Sequence, residues 1–297
     1  MFMWLFAFNG LLYAILTIVS GECCGQVPNL RSPAEAIAAT VLIAGVSVTI
    51  TQAAVPQPII AALVNAANFE SGPISPGEIV TLGGTGLGPS APAGLTLDQN
   101  GKVSTLVGGV PVLFSGYPAP LTYVSSTQIN AVVPYEIQGL LSPAVQVKFQ
   151  GRTSSAFSLT PAASAPAILT FNGSGTGPAA ALNQDNSYNA PSNPAPKGSY
   201  LTLILTGEGQ TFPRGVTGKV TTVAVTAPLS PQPVLQVAVL IGGQPAYASF
   251  YGEAPGLVSG VMQLNVQIPT NVPSGSLPIS VSVGGNASRN GVIVSVQ

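Results

Sequence analysis

The chain has 297 residues, with 8 Lys and Arg against 9 Asp and Glu, no His, and a formal net charge of −1. That length holds about two domains with real cores, and so small a charge offers no footing for nucleic acid or anionic lipid. Only 6% of residues are charged, but 46% are hydrophobic, which excludes a disordered chain. Without His, the chain lacks the side chain best suited to proton transfer near neutral pH and the commonest metal ligand.

Residues 1–54 read as an apolar leader, with helix the expected conformation. Phe2–Val19 is interrupted only by Asn9, Gly10 and Thr17. Ala36–Ala54 follows Arg31 and ends in Thr51-Gln52-Ala53-Ala54, the small-residue pattern of a secretory signal cleaved near Ala53 or Ala54. The first stretch has no basic residue before it. It reads as a membrane segment or as sequence upstream of the true start, with a retained membrane hairpin as the alternative to export. Cys23 and Cys24 are adjacent and fall in this leader, so neither module can contain a disulfide or a thiolate metal site. Glu22 precedes Cys23 where a lipidation site wants a small residue, and the pair reads as unmodified.

Beyond residue 54 the chain repeats itself. Gln128-Ile-Asn-Ala-Val-Val-Pro134 returns as Gln263-Leu-Asn-Val-Gln-Ile-Pro269. Ala61-Ala62-Leu63 answers Ala180-Ala181-Leu182, Pro76-Gly77 answers Lys197-Gly198, and Thr85-Gly86-Leu87-Gly88 answers Thr206-Gly207-Glu208-Gly209. Gly101–Thr105 likewise answers Gly218–Thr222. Matches in one order imply two copies of one module, at 55–166 and 167–297.

Apolar spacing inside the modules is that of strands. Met262, Leu264, Val266 and Ile268 alternate with Gln263, Asn265 and Gln267, and 145–149 and 279–283 do the same. Val234–Ile241 is more continuously apolar, as expected of a strand buried on both faces or bent at a corner. Gly83-Gly84, Gly108-Gly109, Gly242-Gly243 and Gly284-Gly285 are expected to supply the positive φ of tight hairpin turns. Pro134 and Pro269 end strands where a missing N–H costs no ladder bond, and Pro118 and Pro245 sit in matching turns. The expected fold is all-β: two tandem immunoglobulin-like antiparallel β-sandwiches, joined near Ala165–Ile168 by a short link rich in Pro and Ala that holds them semi-rigidly.

The phrases Val64–Phe69, Ile74–Leu82, Gly86-Leu87-Gly88-Pro89, Thr127–Glu136, Ala181–Asp185, Pro191–Ala195 and Thr206–Thr211 resemble the acidobacterial C-terminal domain family of extracytoplasmic proteins. The resemblance spans 57–297. Each module also resembles the TIG/IPT immunoglobulin-like fold, with its Gly-rich first hairpin, Gly-x-Pro-Ala turn and strand closing in Pro. These resemblances imply a fold and an extracytoplasmic compartment. They bring no catalytic or binding residue.

Candidate chemistry is sparse. Gly83–Gly88 and Gly173–Gly177 lack the Lys-Ser/Thr ending of a phosphate loop and read as turns. The modules hold seven carboxylates, Glu70, Glu78, Asp98, Glu136, Asp185, Glu208 and Glu253. Glu208 and Glu253 are the best candidates for a glycosidase pair, although a lone Glu in a turn is ordinarily solvated. Asp98–Gly101 and Asn183–Asn186 offer calcium-type oxygens but read as turns. Asn130 and Asn265, on matching strands, are expected to bond a neighbouring loop's backbone. Tyr117, Tyr123, Tyr135, Tyr247, Phe250 and Tyr251 are read as sandwich core, with an exposed sugar-stacking platform as the alternative. Asn172 and Asn286 begin Asn-x-Ser triplets of the sort that arise by chance.

The expectation is therefore a non-enzymatic extracytoplasmic protein, secreted or at the cell surface, with a structural, adhesive or binding role. No catalytic, cofactor-binding or metal site is assigned, and no cofactor is expected. The expected partner is an envelope component, a polysaccharide or another surface protein; no nucleic acid is expected, and membrane contact comes only through the leader. The alternatives are a secreted carbohydrate-active enzyme using a carboxylate pair in the second module, and a C-terminal sorting or anchoring domain without its passenger.

Overall fold

β-Branched and aliphatic residues alternating with Gln, Asn, Ser and Thr favour strands that bury one face and wet the other. A computed structural model describes residues 56–221 and 230–297, and it is built almost wholly of such strands. The expectations for the leader, its cleavage site, Cys23 and Cys24 lie outside the described residues. Among the described residues, no helix is long and apolar enough to cross a membrane. Among the described residues, the helical element is one 3-10 turn, Tyr135–Ile137.

The first module contributes β1 (Ile59–Asn65), β2 (Ile79–Thr85), β3 (Val112–Phe114), β4 (Leu121–Val124), β5 (Gln128–Val132) and β6 (Ala144–Phe149). One sheet runs β1-β2-β5-β4, and the other sets β3 between β6 and Tyr117–Pro118. The second module contributes β7 (Ala181–Asn183), β8 (Tyr200–Thr206), β9 (Val237–Ile241), β10 (Ala248–Glu253), β11 (Val261–Gln267), β12 (Gly275–Val283) and β13 (Val292–Val296). Its first sheet runs β8-β11-β10, with β7 also on β8, and its second runs β13-β12-β9. Pairing is antiparallel throughout these strands; the short Gly177–Pro178 lies parallel to β13.

The echo in sequence is an echo in register. Thr81 stands opposite Asn130, and Thr202 opposite Asn265. A bulge falls between Leu121 and Tyr123 in β4, and its counterpart between Ala248 and Phe250 in β10. One sequence match slips by a residue. Leu63 faces Leu82 and Ala181 faces Leu203, so Ala181, not Leu182, takes the place of Leu63. A run of small apolar residues cannot distinguish the two registers, whereas the ladder can.

Each module has its own core. Leu82, Val112, Phe114, Leu121, Ile129, Val145 and Val147 fill the first, and Leu201, Leu203, Val239, Leu264, Ile279 and Val281 help fill the second. Burying one such side chain contributes about 1.5–3 kcal/mol. Two expectations need correction. Val234–Ile241 is not buried on both faces: Val234 and Leu240 are exposed while Val239 and Ile241 are buried, so β9 is an ordinary one-sided strand. Gly83-Gly84 is not a hairpin turn but the end of β2, where a Cβ on Gly84 would strike the Ile59 carbonyl. The remaining paired glycines do take positive φ.

Asn130 and Asn265 are also reassigned. The Asn130 Oδ1 accepts from Thr81 Oγ1 at 2.9 Å and Gln128 Nε2 at 3.0 Å. Asn265 Oδ1 accepts from Thr202 Oγ1 at 3.1 Å and Gln263 Nε2 at 3.0 Å. The repeated job is thus a cross-strand side-chain ladder rather than a bond to a loop backbone.

Candidate functional site at the seam between the modules

The chain leaves the first module at Ala162, whose N–H donates to the Ile74 carbonyl, and enters the second at Ala165, whose N–H donates to the Gly207 carbonyl. A link this short forces the sheets together, and apolar side chains from both sides meet there. Ala66, Ile79, Val103 and Val132 pack with Ala254, Val258 and Val261, and Ala67 packs with Ala167 and Leu169. The modules are joined by packing as well as by the link.

Polar groups fix the geometry of this seam. The Ile79 N–H donates to Thr206 Oγ1 at 2.8 Å, and that hydroxyl donates to the Gly260 carbonyl at 3.1 Å. The Val103 N–H donates to the Gly218 carbonyl at 2.8 Å, so the two echoing Gly-Lys-Val phrases touch each other. The Tyr135 N–H donates to Thr217 Oγ1 at 3.0 Å, which donates in turn to Glu136 at 2.6 Å. Gly260, at φ +105°, lies where a Cβ would collide with the Gly77 backbone, and a Cβ on Gly215 would enter the Tyr135 ring. Glycine is required at these points because two backbones, or a backbone and a ring, are in contact.

Glu208 and Glu253 do come together, but not in a solvated turn. They are 0% and 1% exposed, inside the seam, beside Tyr135 at 1%. The Tyr135 hydroxyl lies 3.5 Å from Glu208 Oε1, and Thr221 Oγ1 donates to Glu253 Oε2 at 2.9 Å. Among the described residues, Glu208 Oε2 and Glu253 Oε1 have no hydrogen-bond partner. Burial, and then the nearby Glu253 carboxylate, push the Glu208 pKa well above the usual carboxylate range. Burial likewise raises the Tyr135 phenol, with Glu208 and Glu253 adding to the effect. Sequence marks both acids as turn residues between small neighbours. Tyr135 of the first module reaches across the seam to cover Glu208.

Glu78, named among the seven carboxylates but not singled out, is the third buried acid among the described residues. Its Oε1 accepts from Asn65 Nδ2 at 2.9 Å and its Oε2 from the Ser75 N–H at 2.8 Å. Burial outweighs those bonds and pushes its pKa up to about 8, so the group is mostly protonated at neutral pH. Glu78 lines an open cleft of about 240 Å³ between the modules, with Glu70, Pro73 and Ile74 from the first, Pro166 from the link, and Arg289 from the second. Across its mouth Arg289 Nε lies 3.0 Å from Glu70 Oε1, while Nη1 donates to the Asn68 carbonyl at 3.2 Å. The one sequence clue to Glu78 is a break in the repeat: Pro76-Gly77-Glu78 is answered by Lys197-Gly198-Ser199, which has no acid.

The other candidates are placed as follows. Asp98 and Asp185 close turns, accepting from the N–H groups of Asn100 and Lys102 and of Ser187. Asn172 accepts from Ser174, and Asn286 donates to the Ser164 carbonyl at 3.0 Å. Of the six aromatics read as sandwich core, Tyr135 is buried, but in the seam. Tyr117 and Tyr247 are exposed, and Tyr123, Phe250 and Tyr251 are half-buried. A pleated strand near a bulge directs bulky rings outward as readily as inward, and sequence spacing does not show which.

Residues 63–161 match the IPT/TIG domain, an immunoglobulin-like fold, and the second module repeats the same strand registers. No curated protein matches the chain. Among solved structures it is similar to a protein of the Bacteroides ovatus mixed-linkage glucan utilization locus, SGBP-B, in complex with a mixed-linkage heptasaccharide. Identity there is 13%, coverage is 81% of this chain and 47% of that one, and the TM-score is 0.32. It is also similar to an auxiliary nutrient binding protein from Bacteroides ovatus, at 12% identity, 81% and 59% coverage and a TM-score of 0.21. A third likeness is to domains 4–9 of the surface layer protein SbsC, at 17% identity, 80% and 31% coverage and a TM-score of 0.17. The chain spans about half the length of the first of these. None of these likenesses bears on ligand or partner.

Proposed function

We propose that this chain is a non-enzymatic extracytoplasmic binding protein, a member of the acidobacterial C-terminal domain family its phrases resemble. Its modules occupy 55–166 and 167–297 behind an export leader at 1–54. Its partner is a cell-envelope component, a polysaccharide or another surface protein. The observation that carries the reading is the burial of Glu208 and Glu253. A glycosidase pair must face substrate across a cleft, and these two face the interior of the seam. Among the described residues, no three His, Cys, Asp or Glu gather as a metal group. The open cleft instead joins polar and apolar wall from both modules, as ligand sites at domain interfaces do.

Co-sedimentation of the purified protein with isolated envelopes and a panel of insoluble polysaccharides tests this. Saturable pelleting with one material supports the reading, and pelleting with none overturns it. Glycan hydrolysis that disappears in Glu208→Gln or Glu253→Gln would overturn the non-enzymatic part.

A further inference from the structure

The carboxyls of the two modules divide by place. Glu70, Asp98, Glu136 and Asp185 are exposed, whereas Glu78, Glu208 and Glu253 are buried and lie at the seam. Glu78 gives both oxygens to partners of its own module, Asn65 and the Ser75 N–H. Glu208 and Glu253 do not. Each keeps one buried oxygen without a hydrogen-bond partner among the described residues, which costs free energy in the resting protein. They face each other, and Tyr135 faces them from the first module. The charged side chains of the adjoining segments, Glu136, Arg214 and Lys219, are exposed, and neither Ala163–Ala165 nor β11 carries a titratable group. Two carboxyls in one dry pocket cannot both carry charge unless water reaches them.

One movement lets water in. Tyr135 stands between Gly77 of its own module and Gly215 of the other, with its hydroxyl over Glu208. The backbone at Ala163 and Ala165 lies against Gly209 and Gly207, where a Cβ would strike the facing carbonyl. Ser164 is tied to the same second module, its hydroxyl donating to the Val283 carbonyl at 2.7 Å. Ala162 is tied to the first, through the Ile74 carbonyl. The covalent pivot is therefore the junction of Ala162 and Ala163, beside the turn that carries Glu208. Swinging the modules about it withdraws Tyr135 and hydrates both acids, while the sheets of each module stay intact.

We propose that Glu208, held against Glu253 and covered by Tyr135, is a pH-sensitive latch: the modules dock while it keeps its proton and part about Ala162–Ala163 when the proton is lost. The latch does not depend on what the chain binds. Its sign follows from linkage, because the docked state holds the Glu208 proton more tightly than the open, hydrated state. Docking has full support below pH 4.5, where Glu208 is protonated in either state, and loses it as pH rises through the raised docked value. Across that interval each pH unit lowers the docked-to-open ratio about tenfold for the one proton concerned.

Small-angle scattering of the purified protein from about pH 5 to about pH 9.5 tests this, with far-UV circular dichroism reporting the strands. The expected result is a reversible expansion of the parent toward high pH with an unchanged strand signal. Glu208→Gln should stay compact throughout, and Glu253→Gln should expand less than the parent. If Glu208→Gln has lost its strand signal at low pH, Glu253→Gln carries the comparison. A parent that stays compact at every pH would overturn the latch. So would expansion that coincides with loss of strand signal, because the modules would then be unfolding rather than parting. A folded Glu208→Gln that expands as the parent does would assign the effect to another group. Expansion at low pH on adding a chelator would also overturn it, giving the two unpartnered oxygens to a bound cation instead of a proton.

Discussion

Replacing Glu78 by Gln should flatten an unusual dependence of stability on pH. The Glu78 carboxyl is raised from 4.5 to about 8 by burial. It therefore binds its proton more tightly in the folded chain than in the unfolded one. Its contribution is complete below pH 4.5 and is lost as pH rises toward 8. At about 1.4 kcal/mol per pH unit, the shift is worth about 5 kcal/mol of unfolding free energy across that window. Glu208 is shifted in the same direction by burial and by Glu253, and adds to the slope. This protein should accordingly be more stable near pH 5 than near pH 8.5, the reverse of the usual acid lability. Urea midpoints measured at half-unit intervals from pH 4.5 to 9 give the slope directly. Glu78→Gln keeps the shape but cannot accept both the Asn65 and Ser75 bonds with its amide nitrogen. It should lose about 1–3 kcal/mol at pH 5 and most of the slope above pH 6. A parent whose stability is flat or rises from pH 5 to 8.5 would refute the assignment of a buried protonated acid. So would a variant with the parent's full slope, unless Glu208 alone accounts for it, which Glu78→Gln combined with Glu208→Gln decides.

Other consequences follow from the seam and the ladders. Glu253→Gln removes a carboxylate that helps push the Glu208 pKa up, and should lessen the fall in melting temperature between pH 5 and pH 8. Differential scanning fluorimetry at the two pH values checks this. Tyr135→Ala empties a ring position between Gly77 and Gly215; the expected loss is about 3–5 kcal/mol. Hydrogen exchange should show that loss as faster opening of Ile79 and Val103, whose N–H groups bond across the seam. Gly260→Ala forces a Cβ into the Gly77 backbone at a positive φ and should cost about 3 kcal/mol or more; small-angle scattering would report the modules parting. Asn130→Ala and Asn265→Ala each delete one Thr-Asn-Gln ladder, at about 1–2 kcal/mol apiece. The losses should add in the double variant measured by urea unfolding, because the two sites lie in separate modules.

Much of this architecture is legible in the residues before folding. Alternation such as Met262-Gln263-Leu264-Asn265-Val266 sets strand and face together, because side chains in an extended chain point to opposite sides in turn. Repeated phrases such as Gln128-Ile129-Asn130 and Gln263-Leu264-Asn265 place equivalent strands in equivalent registers, since each module must satisfy the same ladder. Those are local relations, carried by neighbours in sequence or by duplication. The register of Ala180-Ala181-Leu182 is not legible in this way, because small apolar residues fit either side of the match.

The candidate site depends on relations of another kind. Glu208 and Glu253 look like solvated turn acids, and Glu78 looks like a polar residue at a strand entry. All three are buried: Glu208 against Tyr135 of the first module, Glu78 beside the link at Ala165 and Pro166, and Glu253 next to Ala254 at the seam. Glu70 and Arg289 are separated by most of the described chain, and nothing in either local sequence names the other. Periodicity reports which face of a strand meets its own core. Which surface of one module meets the next is decided by the short path through Ala162–Ala165 and by the shapes it brings into contact. The pairing of charges, the raised carboxyl of Glu78 and the cleft itself are products of that contact, and so belong to the tertiary structure alone.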